Sequence, residues 1–454
     1  MKKTMFLWTL MATMAVVTAC SAQDPYSEFQ SYIDSKGTGG TGAISGSNGT
    51  MSASSGELLT FSIDIDKTTA EPSSAVSEYF PDEEDILANN TFATEVAIDL
   101  SNHSADYIVF RKGNNIYAKS TANHGIKAND GIFINGGIIN VETTAEAAKG
   151  INCESHIIVN GGRTTVITSG NGTYDTTDKE AKGAAGIKAD STFTMNAGVV
   201  KLKSSGSGGK GLKADCPSTI NGGELYVITT GSQNSGNGDT ASPKGIKVDD
   251  NLTINGGTIM VRTSGKNGEG IESKAILTIN DGTIMVSAYD DAINSAGDLY
   301  IKGGSVTAVG TQNDGIDSNG NMYISGGTLI AYGASGAEAG IDIDERHKLY
   351  ITGGNIFGIG GRIDGTLGST SQGIVSTTGS VQANSTVTIS NGSTTLASFT
   401  MPPYTYNNGT IMVSAPNMKS GTSYTLSLGS TTQSVTASNS ISSSMGGGFP
   451  GGHW

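Results

Sequence analysis

Histidine and cysteine are scarce in this chain, at five and three of 454 residues. His103, His124, His156, His347 and His453 do not cluster along the sequence, and no Ser-His-Asp, Cys-His, zinc-ligand or phosphate-loop arrangement is present. Basic charge is in deficit too. With 27 Lys and Arg against 41 Asp and Glu, the formal net charge is −14, which argues against nucleic acid as a partner and for cations or neutral ligands. Aromatic residues make up only 6%, whereas glycine reaches 65 residues, so the composition is that of a turn-rich, strand-rich chain. The apolar run at 5–17 is too short to span a bilayer as a helix.

That run follows Lys2 and Lys3 and leads into Val17-Thr18-Ala19-Cys20, which resembles a bacterial lipoprotein signal. Residues 1–19 are expected to be removed and Cys20 to carry the lipid anchor. Ser21 in place of an aspartate implies, by that resemblance, an outer membrane lipoprotein on the cell surface or the periplasmic face. Residues 20–57 read as the lipidated cysteine and a flexible, Gly-Thr-Ser-rich tether. Residues 58–120, with short strand-like runs around the acidic Asp82-Glu83-Glu84-Asp85, read as an N-terminal β cap, because an open strand edge needs covering.

From 121 to 379 one phrase recurs: a Gly-Ile pair and, eleven residues after that glycine, a Gly-Gly-like turn, as in Gly245-Ile246 and Gly256-Gly257. Copies start at Gly125, Gly150, Gly186, Gly211, Gly245, Gly270, Ala292, Gly315 and Gly340, and only the ninth is longer, by two residues, at Glu345-Arg346-His347. A constant core with length variation confined to one later loop predicts stacked coils. One residue after the start is an unbroken aliphatic column from Ile126 to Ile341. Alternating apolar residues mark two further strands per coil, and no helical period intervenes. Position twelve is Gly in all nine copies, which predicts positive φ, and position ten is Asn from Asn135 to Asn280, which predicts an amide ladder at a strand spacing of about 4.8 Å. The fold class is therefore all-β, a right-handed parallel β-helix of about nine to ten coils, with a looser tenth turn at Gly373-Ile374. Residues 380–437, broken by Asn391-Gly392 and Pro402-Pro403, read as a small C-terminal antiparallel β module, and residues 438–454 as a disordered Gly-rich tail. Cys153 and Cys216 fall two coils, about 9.6 Å, apart. That exceeds the reach of a disulfide, about 7 Å between Cα atoms, so two free thiols are expected.

Outward positions carry the chemistry. Two residues after the start, the column runs Lys127, Asn152, Lys188, Lys213, Lys247 and then Glu272, Asn294, Asp317, Asp342. Just before the start lie Glu269, Asp290 with Asp291, Asn313 with Asp314, and Glu338. Carboxylates one coil apart repel by about 3.5 kcal/mol at an effective dielectric near 20, so stacked acids in a groove favour a counter-cation. All-oxygen donors without His or Cys suit Ca²⁺, between the coils starting at Gly270, Ala292 and Gly315. The alternative is that these acids are solvated turn residues. Tyr300, Tyr323 and Tyr350 occupy one place in three successive coils, either as a sugar-stacking strip or as ordinary cross-strand stabilisation. Met260, Met285, Ile330 and Phe357 form an apolar stripe that reads as a docking face for a cap or the C-terminal module.

The phrase Asp314-Gly315-Ile316-x-x-x-Gly320-x-x-x-Ile324-x-Gly326-Gly327-Thr328, the lipoprotein start and the segment 402–426 resemble the β-helical carbohydrate-binding-domain proteins, related in fold to the pectate lyases of polysaccharide lyase family 9. The resemblance covers about residues 62–428. It implies binding of plant-type polysaccharides, acidic ones such as pectin included, with Ca²⁺ held by acid-rich turns. Asp290, Asp291 and Asn294 match an Asp-Asp-x-x-Asp calcium motif, Asn294 replacing its last Asp. The resembling lyases use a lysine near calcium as base. Here the coils beyond Asn294 offer Lys302 and Lys348, and neither is placed for that role. Lys188, Lys213 and Lys247 can pair with substrate carboxylates or with acidic loops, or stand as solvated surface lysines. The expected function is a calcium-binding, surface-anchored, monomeric polysaccharide-binding protein without catalysis; the alternatives are a Ca²⁺-assisted uronate lyase and a purely structural or adhesive surface protein.

Overall fold

In the computed structural model the described residues are 41–44, 58–61, 104–111 and 115–440. They form strands and no helix, and the chain divides into two compact units, Met1–Tyr289 and Asp290–Trp454.

In the first unit each coil bends three times. The coil starting at Gly150, for example, contributes strands Lys149–Cys153, His156–Val159 and Arg163–Thr168. Each strand pairs in parallel with its counterpart in the next coil, homologous letter on homologous letter: Ile126, Ile151, Ile187, Leu212, Ile246 and Ile271 form one continuous column. All six are buried, and burial of such aliphatic columns drives the stacking. The amide ladder is present as well: Asn160 Nδ2 donates to Asn135 Oδ1, and Asn196, Asn221, Asn255 and Asn280 each donate to the preceding asparagine, every bond 2.7 Å long.

The glycine column at position twelve adopts positive φ in all nine coils, from 90° at Gly137 to 87° at Gly354. At Gly162 the corner is also too tight for a side chain, because a Cβ would lie 2.7 Å from the backbone of Gly136 and Gly137.

The expected N-terminal cap coils like the rest where it is described. Ser104–Phe110 and Asn115–Ser120 pair in parallel with Ile126–Ile134 and Ile138–Thr143. Thr41–Ile44, inside the expected tether, pairs in parallel with Leu58–Phe61, which in turn pairs with Ser104–Phe110. An open solenoid edge presents unpaired donors and acceptors that such segments satisfy. The signal segment, Cys20, the acidic stretch at 82–85 and the tail from 441 lie outside the described residues.

The second unit continues the same coil type, with Ile293, Ile316 and Ile341 in register. The two extra residues of its longer coil are absorbed in a turn where Asp344 accepts from the Arg346 backbone and guanidinium, so Met322 still registers with Leu349. The expected start of a looser tenth turn at Gly373-Ile374 is corrected. The tenth parallel strand is Thr366–Thr370, and Ile374–Val381 already runs antiparallel to Tyr406–Ser414. Tyr406–Ser414 also pairs antiparallel with Asn355–Gly360, and Thr386–Asn391, Thr394–Thr400, Ser423–Leu428 and Thr431–Thr436 complete a four-stranded antiparallel sheet. Within this unit the apolar stripe is a docking face: Phe357 is fully buried, its ring 5.8 Å from that of Phe399.

Cys153 is free and buried, and burial pushes its thiol up to about 12. Cys216 is also buried but is disulfide-bonded, so the expectation of a free thiol is corrected there.

Ile316 is fully buried. Ile316→Ala is predicted to lower stability by about 2–5 kcal/mol in urea unfolding, by opening a void between coils; a loss below about 0.5 kcal/mol would contradict the stacked core.

Candidate functional site

In the first unit the Lys column lies in register as Lys127, Asn152, Lys188, Lys213, Lys247 and Glu272. Its lysines are already answered by a second column, two residues further along each coil. Lys127 meets Glu154 at 2.6 Å, Lys188 meets Asp190 and Asp215, Lys213 meets Asp215 at 3.1 Å, and Lys247 meets Asp249 at 2.7 Å. Lys188, Lys213 and Lys247 are therefore the floor of a charge lattice rather than solvated or awaiting a partner.

The residues just before each start form a third column, His124, Lys149, Ala185, Lys210, Lys244 and Glu269, of which sequence reasoning singled out only Glu269. Lys244 bridges Glu269 at 2.5 Å and Glu272 at 3.2 Å. Lys149 and Lys210 differ, because their ammonium groups reach only backbone carbonyls. Lys149 donates to Ala147 O and Gly183 O at 2.5 and 2.6 Å, and Lys210 to Gly208 O at 3.1 Å. Among the described residues neither has a carboxylate within ion-pair distance. Burial, reinforced by neighbouring lysines, pulls both down to about 7. The same causes hold His124 near 4 and therefore neutral.

These columns line a groove of about 890 Å³, with nine lysines and seven carboxylates in its wall. One wall comes from the two longest loops after a third strand, each a hairpin: Thr173–Asp175 with Glu180–Lys182, and Asn234–Gly236 with Asp239–Ala241. The hairpins brace each other, the Ala181 amide donating to Asp239 at 2.7 Å and Asn234 Nδ2 to Thr173 O at 3.3 Å. At Gly236 a Cβ would stand 2.7 Å from Tyr174, so the contact leaves no room for a side chain. Loop length, which the sequence displays, is the signal that could have located the groove.

The expected acid cluster falls in both units. In the first, Lys244 holds Glu269 and, with Lys274 at 2.5 Å, Glu272. Burial would raise the Glu272 carboxyl, but Lys244 and Lys274 outweigh it and keep it below the usual range. The two glutamates expected as metal ligands are thus neutralised by lysines.

In the second unit Asn294, Asp317 and Asp342 stack in register. The Asn294 amide donates to Asp291 at 3.2 Å and to Asp317 at 3.3 Å, Asn313 donates to Asp290 at 2.9 Å, and Asp314 accepts from the Ala339 amide at 2.6 Å. Among the described residues no Lys or Arg ion-pairs with Asp314, Asp317 or Asp342. Burial raises Asp314 to about 8, helped by Asp342, Glu338 and Asp317; it raises Asp317 to about 6 and Asp342 to about 7. Stacked acids without basic partners will hold protons or attract a cation. No group of three or more His, Cys, Asp or Glu is gathered closely enough to hold a metal ion among the described residues. The carboxylates are instead spread along the stack with asparagine amides between them.

Tyr300, Tyr323 and Tyr350 are brought together, in a different manner from a flat strip. Their rings stack face to face at 4.7 and 4.8 Å with interplanar angles of 5° and 7°. Lys302 Nζ approaches Tyr300 at 5.6 Å from the ring centroid, and Gly368 packs against Tyr350. The ring faces between neighbours are consumed by the ladder itself, which leaves edges and hydroxyls outward; the Tyr300 hydroxyl donates to Asp298 at 3.1 Å.

Residues 103–291 match the family model described as "Carbohydrate-binding domain-containing protein". No curated protein and no solved structure matches the chain, so the resemblance to family 9 pectate lyases stands only on the residues that carry it. The matched segment contains the whole lysine groove, from His124 to Lys274. The match points to polysaccharide binding.

Proposed function

We propose that the chain binds acidic polysaccharides, without cleaving them, in the first-unit groove. One observation supports this most: the carbohydrate-binding family match spans a groove whose two lysines lacking a carboxylate partner, Lys149 and Lys210, offer cations to a uronate chain. Lys188, Lys213 and Lys247 supply the surrounding positive field while held by Asp190, Asp215 and Asp249. The tyrosine ladder belongs to this proposal through its hydroxyls and ring edges alone.

A polyuronate carboxylate needs the ammonium form of Lys149 and Lys210. Affinity for polygalacturonate is therefore full below about pH 7 and falls as pH rises through 7, by about tenfold per lysine between pH 6 and pH 8, because the folded groups titrate near 7 rather than 10.5. Titration calorimetry checks this, with the Lys149→Met, Lys210→Met double variant predicted to lose both affinity and pH dependence. Equal affinity in the variant removes the groove from the account. A second reading has one observation in its favour: a lysine near 7 in a sugar groove is suited to abstract a proton α to a uronate carboxyl. Ultraviolet absorbance of unsaturated uronides in the same mixtures would establish that lyase reading instead.

The second-unit acids belong to the same proposal as a Ca²⁺ site. Asp290, Asp291, Asp314, Asp317 and Asp342 supply hard oxygens spread along the stack, with Asn294, Asn313 and Glu338 at the margin, and the raised pKa values of Asp314, Asp317 and Asp342 report crowded carboxyl groups whose ionised form a Ca²⁺ drawn between them would favour. Bound Ca²⁺ would neutralise that charge. Chelator-stripped protein titrated with Ca²⁺ is predicted to give binding heat and a raised Tm, both weakened by Asp317→Asn; no heat and no shift would refute the site.

A further inference from the structure

The second unit contains a cleft of different chemistry. It measures about 360 Å³ and lies between two coil corners, at Gly310 and Gly333, and the loop that leads into Tyr406–Ser414. Tyr332, Tyr404 and Tyr406 line it together with Asn407 and Thr311, and no charged side chain does. In a chain with only 15 tyrosines, three meet here.

The cleft is built rather than incidental. Tyr332 is buried, its ring set edge-on to Tyr406 at 6.3 Å and 68°, and its hydroxyl directed at Met401 Sδ at 3.2 Å. The Tyr406 hydroxyl donates to Ala334 O at 2.9 Å, which ties the loop to the coil corner. Tyr404 is half-buried, and its amide bonds to Pro402 O at 2.7 Å, so the residue follows a turn stiffened by Pro402-Pro403. Burial pushes the Tyr406 hydroxyl up to about 12, so it stays a neutral donor. Fixed aromatic rings with uncharged hydroxyl and amide groups around a space of this size match a sugar ring, whose C–H faces are apolar and whose rim is hydroxylated. The absence of lining charge disfavours a uronate.

We propose that this cleft is a second glycan subsite, for a neutral glycosyl unit, so that one chain carries separate acidic and neutral sugar sites. The inference rests on the polysaccharide-binding reading for the class of ligand and on the cleft for its neutrality. Asn407, which is exposed, and Tyr404, half-buried, contact the sugar; Tyr332 and Tyr406 position the loop.

The test is calorimetry on the full chain with neutral hexasaccharides of gluco-, xylo-, manno- and galacto- backbones, and with oligogalacturonate in parallel. Wild type is expected to bind at least one neutral backbone. Tyr404→Ala and Asn407→Ala are each expected to weaken it about tenfold or more, with Tm and oligogalacturonate affinity unchanged. Lys149→Met should leave neutral binding intact. If wild type binds oligogalacturonate but no neutral backbone, or if both cleft variants keep neutral affinity within about twofold, the subsite is overturned and the acidic groove stands. If wild type binds neither class, the polysaccharide-binding reading falls with it.

Discussion

Each coil is held to the next by a backbone corner that only glycine can turn. The positive-φ glycines, Gly137 to Gly282 in the first unit and Gly304 to Gly354 in the second, bring successive coils of each unit close together, so that a Cβ at Gly162 would collide with backbone, and they set the step at which strands pair. Two side-chain columns depend on that step. The asparagine amides close 2.7 Å bonds only when neighbouring coils are in register, and the aliphatic column from Ile126 to Ile271 is buried only under the same condition. A slip of one residue would turn every inward side chain outward.

Register also makes the chemistry. Residues some 25 to 36 positions apart become neighbours, so one substitution pattern repeated along the chain becomes a surface column of one charge. In the first unit lysine and aspartate columns run side by side and neutralise each other, leaving Lys149 and Lys210 as the unmatched cations. In the second unit Asp314, Asp317 and Asp342 have no such counterpart among the described residues, and burial with their mutual repulsion lifts their pKa values above the usual carboxylate range. On the proposed reading, opposite local excess charge in a chain of net −14 would give each unit its own ligand preference.

Much of the coil was legible because its determinants are local. Gly at position twelve, Asn at position ten and the aliphatic column each report one backbone requirement, and each is met. The site was legible only in part. Lys188, Lys213 and Lys247 stood out as a column for which acidic loops were one expected partner, but which acids hold them, the aspartates two residues further along, depends on how the coils stack. Lys149 and Lys210 escaped notice because Ala185 interrupts their column, and the wall above them comes from hairpins whose mutual contact no single loop sequence announces. The tyrosine spacing was evident, yet whether the rings lie flat or stack edge-outward is a rotamer question, and stacking at 4.7 Å consumes the faces a sugar would use. At Gly373 the familiar Gly-Ile pair recurs where the chain changes to antiparallel pairing, since the partner strand at 406–414 is remote in sequence.

The most direct measurement of the register is cysteine cross-linking along the outward threonine column, where Thr194 pairs with Thr219 and Thr219 with Thr253. Neighbouring coils place these Cα atoms about 4.8 Å apart, within disulfide reach, and alternate coils about 9.6 Å apart, beyond it. Under mild oxidation the Thr194→Cys, Thr219→Cys pair and the Thr219→Cys, Thr253→Cys pair are predicted to bridge, and the Thr194→Cys, Thr253→Cys pair to stay reduced. Bridging of the alternate-coil pair with failure of the adjacent pairs would contradict the stacked register and, with it, the groove, the acid column and both sugar sites.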